Sequence, residues 1–104
     1  MPLAPLSKEA HLRVKAIHRL SREINGKTRT RHEKKLLELI RKHIDEIEKL
    51  WENKNKHFII ETGDLIVLCL ELILENKASV NKVMLGCFAR YEKKLSHLIK
   101  ERSQ

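Results

Sequence analysis

Between Leu6 and Gln104 the chain contains no proline and only three glycines, at positions 26, 63 and 86. Both prolines, Pro2 and Pro5, precede the first helical pattern. A sheet protein needs turn residues every few residues, so a chain with so few of them is directed to long uninterrupted helices. At 104 residues there is room for one domain. The expected fold is therefore all-α: a four-helix bundle subunit spanning 1–104, with residues 1–29 as a basic N-terminal helix and connector and 30–104 as the helical core.

Hydrophobic residues make up 41% of the chain and charged residues 35%, a mix that suits amphipathic helices rather than disorder. The net charge of +8 is unevenly placed, with twelve Lys and Arg against four Glu in residues 1–44 and ten bases against ten acids beyond. A basic surface of this kind attracts nucleic acid, anionic lipid or phosphorylated small molecules about equally well. No interleaved aromatics single out nucleic acid, and a solvated basic face accounts for the charge without any partner.

Helical periodicity and stop signals divide the chain into four. Ser7 is placed to cap a first helix in which Ala10, Val14, Ile17, Leu20 and Ile24 form a stripe, and Asn25-Gly26 stops it. Thr30 and Glu33 have capping-box spacing for a second helix. Its stripe is Leu36, Leu37, Ile40, Ile44, Ile47 and Trp51, and "ENKNK" (52–56) ends it. The third helix covers about 58–76 and is apolar on most sides through "LIVLCLELIL", which requires burial on more than one face. "ENKAS" closes it and Ser79 caps a fourth. The inward residues of that fourth helix are expected to be Val80, Val83, Met84, Cys87, Tyr91, Leu95 and Leu98. One chain of four short helices gives the third only limited cover, so a homodimer is expected through that apolar helix.

Cys69 and Cys87 have no C-x-x-C spacing and are expected to be buried free thiols of a reducing, cytoplasmic compartment. The six histidines include no i, i+4 pair, which argues against zinc. No apolar run reaches the length of a membrane span, and the N-terminus lacks an apolar signal core.

Within the third helix Glu61, Asp64, Glu71 and Glu75 fall on one stripe with Leu68. Crowded carboxylates repel one another unless a cation joins them, and Mg2+ favours oxygen ligands. Partners would have to come from the second helix, where Asp45 and Glu46 in "HIDEIEKL" face either solvent or this seam. Acidic residues are also ordinary on solvated helix faces, where Asp64 would simply favour a helix N-terminus and Thr62 would serve as its N-cap.

The segment "IETGDLIVLCLELILENKASVNKVMLGCFARYEKKL" resembles the second half of a MazG-type nucleotide pyrophosphohydrolase domain, of the all-α NTP pyrophosphatase superfamily. Glu61 and Asp64 match the family's E-x-x-D, Ser79 its helix cap, and Arg90, Tyr91, Lys93 and Lys94 its basic-aromatic run. The likeness covers roughly residues 36–98, and its motifs are short. Aligning on Ile44, Ile47 and Leu50 places Asp45, Glu46 and Lys49 on the family's E-E-x-x-E, so the third acid is a lysine here. Sliding by one residue places Asp45 and Glu48 on the second and third acids but spoils the apolar pattern. Lys49 would oppose a cation and pair instead with Asp45, and Phe88 stands where the family has Asn.

The resemblance implies Mg2+-dependent (or Mn2+-dependent) hydrolysis of a nucleoside triphosphate between its α and β phosphates. Glu46, Glu61 and Asp64 would be metal ligands with Asp45 as a weaker one, and Arg90, Lys93 and Lys94 would hold the phosphates. With Lys49 closing the site, the alternative is a non-catalytic binding or adaptor module. Such a module would use the basic first helix (Arg13, Lys15, Arg19, Arg22) and Lys27, Arg29 and Arg31 to contact nucleic acid or an acidic protein partner.

Overall fold

The computed structural model describes residues 4–103; Pro2 lies outside them. Four helices make up most of that span: α1 (Lys8–Asn25), α2 (Arg29–Glu52), α3 (Phe58–Glu75) and α4 (Val80–Arg102). The all-α bundle expected from the periodicity is present, with no strand among the described residues.

Three of the helix boundaries follow from local chemistry. Ser7 accepts a hydrogen bond from the Ala10 amide at 3.1 Å, and Ser79 accepts from the Lys82 amide at 3.3 Å, each satisfying a donor that the first helical turn leaves free. Gly26 ends α1 at φ 122°, a region closed to side chains with a Cβ. The ends of α2 and α3 are built alike. Asn53 and Asn76 are the C-cap residues, and Lys54 (φ 58°) and Lys77 (φ 56°) follow in the left-handed region. Amides at 55 and 78 then return to the carbonyls of Leu50 and Ile73, the 6→1 bond of a Schellman turn.

Two cap assignments differ from the sequence reading. α2 starts at Arg29 with Thr28 in the cap position and no side-chain cap bond, so Thr30 and Glu33 form no capping box. Glu33 instead accepts from Arg29 Nε at 2.9 Å, an i, i+4 charge pair that takes the carboxylate away from the backbone. Thr62 is no cap either. It lies one turn inside α3 and its hydroxyl donates to the Phe58 carbonyl at 2.7 Å.

α2 and α3 share the most extensive packing, with α1 laid against both and α4 touching α3. The five-residue connection between α2 and α3 makes this pair antiparallel. Val14, Leu70 and Val80 form the buried cluster, covered by Leu6, Ile73, Leu74 and Met84, while Leu36 is fully buried apart from them.

The rotation of α1 departs from expectation. Val14 is buried, but Ile17, Leu20 and Ile24 face solvent, with Ile24 85% exposed. His18, Ser21, Arg22 and Asn25 take the partly covered face instead. The reason lies across the interface, where α3 presents Glu71 and Glu75 rather than an apolar surface. The stripe of α2 shows a smaller offset. Leu36 is buried and Ile40 and Ile47 are half-buried, whereas Leu37, Ile44 and Trp51 are exposed; His32 and His43 share the covered side.

α3 is covered on one side only, since Ile59, Ile60 and Ile66 are more than half exposed. α4 separates from the other helices after its second turn. Val80 is buried and Val83, Met84 and Cys87 are half-covered, but every residue from Phe88 to Ser103 is exposed, so Tyr91, Leu95 and Leu98 face no neighbouring helix within the chain. The radius of gyration, 16.5 Å, exceeds the roughly 13 Å of a compact chain of this length. Cys69 is exposed and Cys87 half-buried, both as free thiols, correcting the expectation that both are buried; the desolvation that Cys69 retains still raises its thiol pKa. Among the described residues no helix is long and apolar enough to cross a membrane.

Candidate functional site

The expected carboxylate seam divides into two unlike sites along α3. Near its start Glu61, in the first turn, is partly buried and Asp64, in the second, is exposed. His43 of α2 approaches Glu61 Oε2 at 3.5 Å through Nε2, and His57 approaches Oε1 at 3.5 Å. His43, Glu61 and Asp64 offer ligand atoms within 4.8 Å of one another. Asp45 and Glu46 are exposed and belong to no such group among the described residues. The reason is helical phase: His32, Leu36 and His43 set the covered face of α2, and at about 100° per residue Asp45 falls on the side opposite Leu36 while Glu46 lies roughly 80° from it, at the solvent edge. Lys49 is exposed and forms no ion pair with Asp45 among the described residues. The oxygen-rich set implied by the resemblance is thus not assembled: one imidazole and two carboxylates stand together there, a mixed donor set unlike the oxygen ligands that Mg2+ favours.

Arg90, Lys93 and Lys94 lie on the exposed part of α4, where they line a shallow depression of about 570 Å³ with Tyr91 and His97. Lys94 Nζ sits 5.9 Å from the Tyr91 ring centroid, in range of a weak cation–π attraction. Arg90 donates to Cys87 Sγ at 3.1 Å. Phe88 is 45% exposed.

The second site, at the other end of α3, was not foreseen. Glu75 is 5% exposed, Glu71 2% and His32 0%. His18 Nε2 lies 2.7 Å from Glu75 Oε2, His32 Nε2 lies 3.7 Å from the same oxygen, and Arg22 Nη2 lies 3.6 Å from Oε1. The two imidazoles meet edge to face with centroids 5.4 Å apart. His32 Nε2 and Glu71 Oε1 are buried without a hydrogen-bond partner. Burial holds the His32 pKa below its ordinary value; Glu75 and Glu71 oppose that shift, while His18 and Arg22 reinforce it. Since α1, α2 and α3 each contribute one member of the His18–His32–Glu75 group, no spacing within a single helix reveals it. The legible signal was weaker: Glu71 and Glu75 stand in the most apolar segment, and His18 and His32 flank the α1–α2 turn. No protein-family model, curated protein or solved structure matches this chain.

Proposed function

We propose that this chain is a non-catalytic helical binding module whose basic first helix docks an acidic, amphipathic segment of a protein partner. The observation that carries this reading is the rotation of α1, which turns Ile17, Leu20 and Ile24 outward beside the exposed Arg13, Arg19 and Lys27. A phosphate backbone would engage the cations but leave Leu20 and Ile24 in water. An acidic helix with an apolar face covers both and gains from burial as well as from charge. Shallow depressions lined by Arg19, Arg22, Glu23 and Lys27, and by Ala16, Arg19, Leu20 and Glu23, give side chains of such a helix somewhere to settle.

Self-association complements this role. Among the described residues only four hydrophobic side chains are buried, whereas Trp51, Ile59, Ile60, Leu95 and Ile99 are each more than half exposed. A core this small leaves a single chain marginal, and a second copy would cover the α3 and α4 faces. Sedimentation of the full chain at micromolar concentration tests this; a monomer there removes the homodimer.

For the docking role, a synthetic acidic amphipathic helix and a DNA duplex are titrated against the chain over a range of salt. Peptide binding lost in L20S/I24S, with helicity retained, is the expected result. Duplex binding that falls steeply with salt and survives L20S/I24S would replace this reading with nucleic-acid binding.

A second reading, a MazG-like NTP pyrophosphohydrolase, is favoured by the approach of His43 to Glu61 and Asp64, a mixed nitrogen and oxygen set better suited to Mn2+ than to Mg2+. It requires pyrophosphate release from nucleoside triphosphates that Glu61→Ala abolishes. Gain of that activity in Lys49→Glu would support the family alignment, and absence of activity in both forms removes the reading.

A further inference from the structure

We propose that His18, His32 and Glu75 form a site for one divalent transition-metal ion of the zinc class, with Glu71 as the adjacent carboxylate, and that this ion fastens α1 to the α2–α3 pair. Two imidazoles and a carboxylate are an established donor set for such ions. Tetrahedral zinc with bonds near 2.0 to 2.2 Å sets neighbouring ligand atoms roughly 3.3 to 3.5 Å apart. The two histidine nitrogens stand 2.7 and 3.7 Å from Glu75 Oε2, and all three ligand atoms lie within 4.8 Å of one another. Side-chain adjustments of under about an ångström would therefore seat an ion.

The orphaned groups are the independent observation. A hydrogen bond between His18 and Glu75 satisfies those two and leaves His32 Nε2 and Glu71 Oε1 buried without partners, an arrangement that is costly inside a protein. A cation answers the first deficit by taking the His32 lone pair, and its charge offsets those of Glu75 and of Glu71, one turn earlier on α3. Arg22 supplies part of that positive charge, but it is 39% exposed and 3.6 Å away, and its guanidinium also donates to the Lys27 carbonyl.

Asn25 completes the arrangement as a positioning residue. Its amide nitrogen lies 3.4 Å from His32 Nδ1. As it stands that nitrogen donates to Nδ1 and leaves the imidazole proton on Nε2, so ion binding would require the Asn25 amide to turn over, its oxygen then accepting from Nδ1–H and freeing Nε2. The site also accounts for the rotation of α1: its inward half carries His18, Ser21, Arg22 and Asn25 where packing alone would place Ile17, Leu20 and Ile24.

The test uses the full chain, stripped with a chelator and titrated with Co2+ as a spectroscopic probe. One Co2+ per chain is expected, with visible d–d bands that Zn2+ displaces, and the thermal midpoint should rise on the order of 10 °C at a hundred times Kd. H18N and E75Q should each bind at least ~100-fold more weakly and N25A about 10- to 100-fold more weakly, while H43N and D64N bind as the parent does. Lack of stoichiometric Co2+ binding overturns the site, as does binding that H18N leaves intact. Helicity of the stripped E75Q chain is read first; if it is lost, H18N, altered at a partly exposed residue, decides the outcome alone. The H43N and D64N arms keep this result distinct from any metal held at the opposite end of α3.

Discussion

The tripeptide Glu-Asn-Lys occurs twice, at 52–54 and 75–77, and both times it ends a helix with Asn at the C-cap and Lys at positive φ. The backbones are nearly the same, but the glutamates are not. Glu52 is exposed to solvent, whereas Glu75 is 5% exposed and in contact with His18, His32 and Arg22. Asn76 is also drawn into neighbouring chemistry, accepting from Arg29 and donating to the Leu72 carbonyl. Local sequence dictates the shape of a helix end, while the elements packed against it dictate what its side chains do.

The strongest way to break the comparison is to remove both glutamates in turn. In metal-free protein Glu75→Ala should cost about 3 kcal/mol, because it leaves the buried His32, the partly buried His18 and Arg22 without their acceptor. Glu52→Ala should stay within about 0.5 kcal/mol. Urea unfolding measures both, and equal losses would mean that burial does not separate the two sites.

Gly26→Ala comes next, at about 1 to 3 kcal/mol. Its φ of 122° disfavours any Cβ, which would also come 2.5 Å from Arg31 Cδ. The turn it forms sets His18 against His32, so this variant should also weaken Co2+ binding, and a stable variant with unchanged metal affinity would show that the cluster does not depend on that turn.

Acidification gives a gentler probe. His32 has a folded pKa below its ordinary value near 6.5, so between those two values the unfolded chain binds more protons and stability falls as pH falls. Its contribution is present above about pH 6.5 and is lost as the solution is acidified toward the folded pKa. Urea midpoints of metal-free protein from pH 7.5 to 5.5 should decline, and less so in His32→Gln. The smallest effects are expected at the two lysines: Lys54→Gly and Lys77→Gly should each stabilise by roughly 0.5 to 1 kcal/mol by relieving the left-handed conformation, with similar thermal shifts at both ends.

Much of the fold was legible because its signals are local. Ser7, Ser79, Gly26 and the two Glu-Asn-Lys ends mark boundaries by satisfying backbone groups a few residues away. Periodicity identifies an apolar face without saying what will cover it, and the stripes of α1 and α4 are largely left uncovered by the other helices. α1 turned Ile17, Leu20 and Ile24 outward, and α4 carried Tyr91, Leu95 and Leu98 away from the other helices. At the candidate sites, the spacing of Glu61 and Asp64 was correctly read as one face of a helix. That face met His43 rather than Asp45 and Glu46, since the phase of α2 was fixed by His32 and Leu36.

By itself the sequence determined that the chain is helical, where α1 and α4 start, where α1, α2 and α3 stop, and that its first part is strongly basic. These depend on backbone hydrogen bonding and composition, which act over a turn or two. Only the tertiary structure decided that His18, His32 and Glu75 meet, because their approach depends on the rotation of three helices about their axes. That rotation is set by the sum of contacts across the interfaces, and no segment of the chain carries it alone.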